Sequence, residues 1–269
     1  PLGGTGAVVT GGGSGIGEAL CQELARHGSI VVVADIDEGR AAQVASRIAQ
    51  AGGQARAMGV DVAQEDQVKL LVERVVLEDK RLDFMFNIAG IAVAGEARDL
   101  TSAHWRRVLD VNLFGVLYGT MAAYGQMVRQ GSGHIVNMSS FAGLTPFPTN
   151  APYSTSKHAI VGLSLSLRYE AEGLGVRVSV ACPGWVQTNL YRVTPVVNVP
   201  PERAAVHAKM MGPSEAAQSL LRGVSRNQAV IVFPANFWLL WRLYQIHPAF
   251  LSGTLRRQVR RLRRVRLTS

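Results

Sequence analysis

The chain has 269 residues, 48% of them hydrophobic, with no low-complexity tract and no internal repeat, which excludes a disordered or repeat-built protein and suits one large α/β domain. Its formal net charge of +9 is uneven: all 19 acids lie before Ala216, and from there on come ten arginines with neither lysine nor acid, so the basic character belongs to the tail. The two cysteines, Cys21 and Cys182, show no metal-ligand spacing and form no disulfide framework, and the first residues carry no basic region leading into an apolar stretch. Small buried thiols in a reducing, cytoplasmic setting are the expectation.

In chain order, a β-branched run over 7–10 leads into glycines and a helical pattern over 16–27, and 29–34 reads as a buried strand, which makes a βαβ unit. The alternation continues with helix 39–51, strand 55–60, helix 65–79, strand 82–87 and a long helix around 102–129. Strand 133–138, helix 153–172, strand 176–181, an irregular stretch, helix 213–224 and strand 229–233 complete it. Strict alternation predicts a doubly wound parallel sheet covered by helices on both faces, in a single α/β domain over 1–235 followed by an extension over 236–269. Ligands of such sheets bind outside the carboxyl ends of the strands.

The turn after the first strand reads Thr10-Gly11-Gly12-Gly13-Ser14-Gly15-Ile16-Gly17, glycines that let backbone approach a pyrophosphate at a helix N-terminus. The spacing departs from G-x-G-x-x-G, so the turn by itself is also compatible with a tight loop. The second strand ends in Asp35, 18 residues after Gly17, where a carboxylate can accept hydrogen bonds from both adenosine ribose hydroxyls. The same carboxylate repels a 2′-phosphate, and neither Ser14 nor Ile36 compensates, so NAD is expected over NADP.

Tyr153 and Lys157 stand four residues apart on one helix face, and Ser139-Ser140 ends the preceding strand at the ligand-binding edge. Asn112 lies mid-helix, where a polar amide needs a partner. Oxidising an alcohol requires a base for the hydroxyl proton while hydride departs. A free tyrosine is a poor base at neutral pH; a neighbouring Lys157 ammonium and a positive nicotinamide ring would stabilise its phenolate, a change of about 4 kcal/mol. Ser140 would position the substrate oxygen, and Asn112 could hold a water linking Lys157 to solvent.

The ordered set resembles the short-chain dehydrogenase/reductase family over roughly residues 5–233, with a Rossmann fold. The motifs are Thr10 to Gly17, Asp61-Val62, Asn87-Ile88-Ala89-Gly90, Asn112, Ser140, the run from Tyr153 to Lys157, and Pro183-Gly184 with Thr188. The resemblance implies that Gly11, Ser14, Gly15, Ile16 and Gly17 hold the cofactor with Asp35, that Asp61 and Val62 meet the adenine, and that Asn87 braces the sheet beside Ala89 and Gly90. It also implies that Tyr153 and Lys157 touch the cofactor, and that Val186 and Thr188, after Pro183 and Gly184, meet the carboxamide. Ser140 is preferred over Ser139 because it precedes Tyr153 by 13 residues, the family spacing. Ile88 replaces the second Asn more usual there, which weakens a local backbone brace. A homodimer or tetramer is implied as well, although the segment that packs tetramers is not recognisable after Phe233.

The apolar, proline-marked stretch 185–212, with Leu144, Phe147 and Pro148, reads as a lid over a pocket for a lipophilic alcohol or ketone, or as loop packing. In the extension, Leu251, Leu255, Val259 and Leu262 recur at helical spacing among arginines, after Phe237, Trp238 and Trp241. Peripheral membrane contact and cover for the pocket or a partner subunit both remain open; nucleic-acid binding lacks a reading module. The functional expectation is an NAD(H)-dependent oxidoreductase interconverting a lipophilic secondary alcohol and its ketone. The alternatives are an NADPH-dependent carbonyl reductase and a non-catalytic, nucleotide-responsive, membrane-docked module.

Overall fold

The computed structural model describes residues 2–199 and 209–264. Positions 200–208 of the expected lid and 265–269 of the extension lie outside the described residues. The strands are β1 (Gly6–Thr10), β2 (Ile30–Asp35), β3 (Gln54–Gly59), β4 (Phe84–Asn87), β5 (Gly133–Met138), β6 (Val176–Pro183) and β7 (Val230–Phe233). They form one parallel sheet in the order β3-β2-β1-β4-β5-β6-β7. The order reverses between β1 and β4, and this switch point opens a crevice at the carboxyl ends of the strands.

Helices α1 (Gly15–Arg26), α2 (Glu38–Gln50), α3 (Glu65–Asp79), α4 (Ser102–Leu109), α5 (Gly115–Gln130) and α6 (Ala151–Glu170) precede β6. After it come a single turn α7 (Leu190–Val193), then α8 (Pro213–Ser225), α9 (Ala235–Ile246) and α10 (Ser252–Arg264). One sheet face buries Val9, Val31, Val33 and Phe86 against Leu20 and Leu24 of α1, Val44 and Ile48 of α2, and Leu220 and Leu221 of α8. The other buries Val8, Val32, Met85 and Ile135 against Leu71 and Val75 of α3, Ala123 and Met127 of α5, and Leu167 of α6. Adjacent strand residues thus serve opposite faces, and the continuous apolar runs of a sheet covered on both sides follow.

Local chemistry sets the helix ends. Asp37 caps α2 by accepting from the Arg40 N–H, Thr101 and His104 form a reciprocal capping box on α4, and α5 ends in left-handed Gly131. The long helix expected around 102–129 is present, α4 running on into α5 through a wide π turn, Asp110–Phe114, closed by the Gly115 N–H on the Asp110 carbonyl.

Candidate active site

A cavity of about 900 Å³ occupies the crevice at the strand ends. Every expected site residue lines it except Asn87 and Asn112, which stand behind its wall.

The first wall is backbone. Gly11 has φ +68 and lies so close to Ala89 that a Cβ would come within 2.8 Å of its N and Cα, while a Cβ on Gly17 would collide with the Gly11 carbonyl. Only glycine fits either place. Asp35 Oδ2 accepts from the Gly13 N–H at 2.9 Å and Oδ1 from the Asp37 N–H at 3.0 Å, which fixes the carboxylate at the end of β2. Two features here escaped the sequence reading. Arg40 lines the cavity beside Asp35, with its Nε held 3.0 Å from Asp37 Oδ2. Thr10, in register with Asn87, accepts at Oγ1 from the Ile88 N–H at 3.2 Å, so the loop after β4 keeps a brace despite the apolar side chain at 88.

Asn87 is buried and donates from Nδ2 to Asn137 Oδ1 at 2.8 Å, linking the ends of β4 and β5. Asp61 accepts from the Ala63 N–H at 3.0 Å, and Val62 packs against Gly115. Asn112 is fully buried in the π turn. It accepts from the Ile91 N–H at 2.8 Å, and both its amide hydrogens are spent, on the Ile91 carbonyl at 2.9 Å and Ser156 Oγ at 3.2 Å. Its side chain thereby pins the loop after β4.

The two serines after β5 divide the work. Ser139 is buried and donates to the Lys157 carbonyl at 2.8 Å, whereas Ser140 hydrogen-bonds the Tyr153 phenol and accepts from the Ala142 N–H at 3.2 Å. Lys157 Nζ donates to the Met138 carbonyl at 2.8 Å and lies 5.5 Å from the centre of the Tyr153 ring. Burial lowers the Lys157 ammonium to about 8. Burial also pushes the Tyr153 phenol up, opposed in part by its hydrogen bond with Ser140. Among the protein groups alone desolvation outweighs the Ser140 hydrogen bond, whereas the sequence expectation of a lowered phenol also counts the positive nicotinamide ring.

On the substrate side, burial and the neighbouring Tyr153 raise the Tyr191 phenol. An aromatic chain runs from Tyr191 to Trp185 at 5.7 Å and on to Phe147 at 5.8 Å. The lid segment makes an isolated bridge at Val196 to Ala94, through the Ala94 N–H on the Pro195 carbonyl and the Val197 N–H on the Ala94 carbonyl. The extension also reaches this side. Phe237 meets Phe141 edge-on at 4.8 Å and occupies the space a Cβ on Gly184 would need. Arg263 of α10 bonds buried Glu96 at 2.6 Å, beside Arg98 at 2.8 Å. No helix among the described residues is long and apolar enough to cross a membrane.

The family model described as short chain dehydrogenase matches residues 5–195. The chain belongs to the short-chain dehydrogenase/reductase family. Its seven-stranded parallel sheet matches the fold of its solved relatives. The short-chain dehydrogenase/reductase from Burkholderia phymatum, solved in complex with NAD, is 28% identical and superposes with a TM-score of 0.81 over 91% of this chain and 94% of that one. The probable oxidoreductase EphD of Mycobacterium tuberculosis is 32% identical over 263 residues, 93% of this chain; the chain spans 44% of that relative's length. 2-(S)-hydroxypropyl-CoM dehydrogenase 3 of Xanthobacter autotrophicus is 36% identical over 178 residues, 66% of this chain and 70% of that protein.

Proposed function

We propose that this oxidoreductase interconverts a lipophilic secondary alcohol and its ketone using NAD(H), with Tyr153 as the acid/base. One observation carries the reading: Ser140, Tyr153 and Lys157 meet at one end of the cavity that has the glycine turn and the Asp35 carboxylate at its other end. The residues fit a dinucleotide. Side-chain-free backbone at Gly11 and Gly17 leaves room for a pyrophosphate at the N-terminus of α1, and the Asp35 side chain presents acceptors suited to ribose hydroxyls. When bound, the nicotinamide supplies the hydride acceptor or donor and, oxidised, a positive charge.

The chain's own residues do the rest. The Ser140 hydroxyl orients the substrate oxygen, and Tyr153 takes the hydroxyl proton in the oxidising direction or returns it in the reducing one. Lys157 is held by the Met138 carbonyl with its ammonium beside the phenol, where a cation favours the phenolate. Asn112 holds the loop after β4, and Tyr191, Val193, Ala92 and Val93 give the substrate a largely apolar wall. NAD is preferred because Asp35 opposes a 2′-phosphate and the nearby Arg40 is already paired with Asp37. The NAD found with the Burkholderia relative agrees with that choice. Assembly as a homo-oligomer and peripheral contact with a membrane through the extension complete the reading.

Arg40 favours a second reading, an NADPH-dependent carbonyl reductase, if its side chain swings to a phosphate. Fluorescence titration with NADH and NADPH separates the two. The test of mechanism is Tyr153→Phe assayed with a panel of lipophilic secondary alcohols: turnover should fall by about 10²-fold or more while NADH binding stays within about two-fold of the parent. A variant that turns over normally would refute Tyr153 as the acid/base.

A further inference from the structure

We propose that the outer faces of α9 and α10 form a docking surface for an anionic lipid bilayer. On α9, Phe237, Leu240, Trp241 and Tyr244 are half-buried against the body. The opposite face shows Trp238 at 50%, Leu239 at 55% and Ile246 at 82% exposure, with Leu243 between them and Phe250 beyond. Apolar side chains grouped so densely on one exposed helix mark an interaction site. Arg242 lies within the group, its guanidinium 6.0 Å from the Trp238 ring, a pairing suited to a boundary between acyl chains and headgroups.

The next helix carries the charge. Leu255, Val259 and Leu262 of α10 turn toward the body, while Arg257, Arg261 and Arg264 recur at helical spacing on an exposed face. Arg263 is not counted, because it serves Glu96. No acid occurs after Glu215 to neutralise this face.

Charge selects the occupant. A second copy packed face to face would set arginine against arginine, since a two-fold interface brings like patches together and this one holds no acid. A bilayer rich in anionic headgroups satisfies both halves: phosphates pair with the arginines, and the α9 side chains enter the acyl boundary. At 12 residues α9 is far too short to span, so it lies along the surface. The inference rests on the membrane contact of the proposed function and deepens it by naming the surface and the anionic lipid, and a lipophilic substrate dissolved in the bilayer would be met there.

The test is co-sedimentation of the full chain with vesicles of phosphatidylcholine alone and of phosphatidylcholine containing about 30% phosphatidylglycerol. Binding is expected to the second and not the first, and to weaken as salt rises. It should fall at least about ten-fold in Leu239→Glu/Ile246→Glu and about five-fold in Arg257→Gln. NADH titration of each variant should match the parent, which shows an intact body and separates this result from the fate of the dehydrogenase reading. Binding to neither vesicle, or equal binding to both, overturns the proposal. So does a Leu239→Glu/Ile246→Glu chain that keeps its vesicle binding but loses an oligomer in sedimentation velocity, because the face would then join copies of the chain.

Discussion

Lys157→Met should make the protein more stable at neutral pH while abolishing turnover. Burial holds the Lys157 ammonium at about 8 instead of its ordinary 10.5, so the folded state carries a cost of about 3 kcal/mol wherever both states are protonated. Below pH 8 that cost is present in full. Between about pH 8 and 10.5 the unfolded chain binds a proton that the folded chain has lost, so the lysine's penalty fades and the stability of the parent rises with pH relative to the variant. Methionine removes the charge and keeps the apolar stem, but it takes the Nζ donor from the Met138 carbonyl, a loss of about 1–2 kcal/mol at any pH. The difference is a gain of about 1–2 kcal/mol at pH 7 that vanishes or reverses near pH 10. Urea unfolding of parent and variant, followed by tryptophan fluorescence without nucleotide, measures it. A variant less stable than the parent by the same amount at both pH values would refute the reasoning.

Asp35→Ala should narrow the preference for NADH over NADPH by ten-fold or more in fluorescence titrations, because about 1–2 kcal/mol of repulsion disappears and nearby Arg40 meets the 2′-phosphate without an intervening carboxylate. Asn112→Ala should cost about 2–4 kcal/mol in thermal unfolding, since it strips a buried donor and acceptor from Ile91. It should also weaken nucleotide binding, because the loop it pins lines the cavity.

The alternation of strands and helices was legible because a sheet covered on both faces needs continuous apolar runs, and β1 and β2 supply them. The glycine turn and the Tyr153 to Lys157 run were legible because their chemistry is local in sequence. Other parts were not, each for a physical reason. The π turn at Asn112 exists because its side chain grips Ile91, a contact 21 residues away that helical periodicity does not record. Thr10 reads as an ordinary strand end until β1 is known to lie beside β4, which turns its hydroxyl toward the Ile88 N–H. Arg40 reads as a solvated helix residue, and only the placement of α2 brings it to the cavity. The direction of the Tyr153 shift depends on desolvation, which no spacing reports.

The extension is held to the catalytic body at both ends, and the two attachments differ in strength. At its start, the Phe237 ring packs edge-on against Phe141 and into the space above Gly184, and partial burial of such a ring contributes about 1–2 kcal/mol with little dependence on salt. At its end, Arg263 reaches Glu96, but the arginine is 59% exposed and Glu96 already has Arg98, so the added pair is worth at most about 1 kcal/mol and is screened by salt. Glu96 follows the segment whose Ala94 pairs with the lid at Pro195 and Val197. The end of the extension does not depend on the pair of Arg263 with Glu96 alone, because Leu255 and Val259 of α10 line a groove together with Pro146, Phe147 and Pro148 of the body.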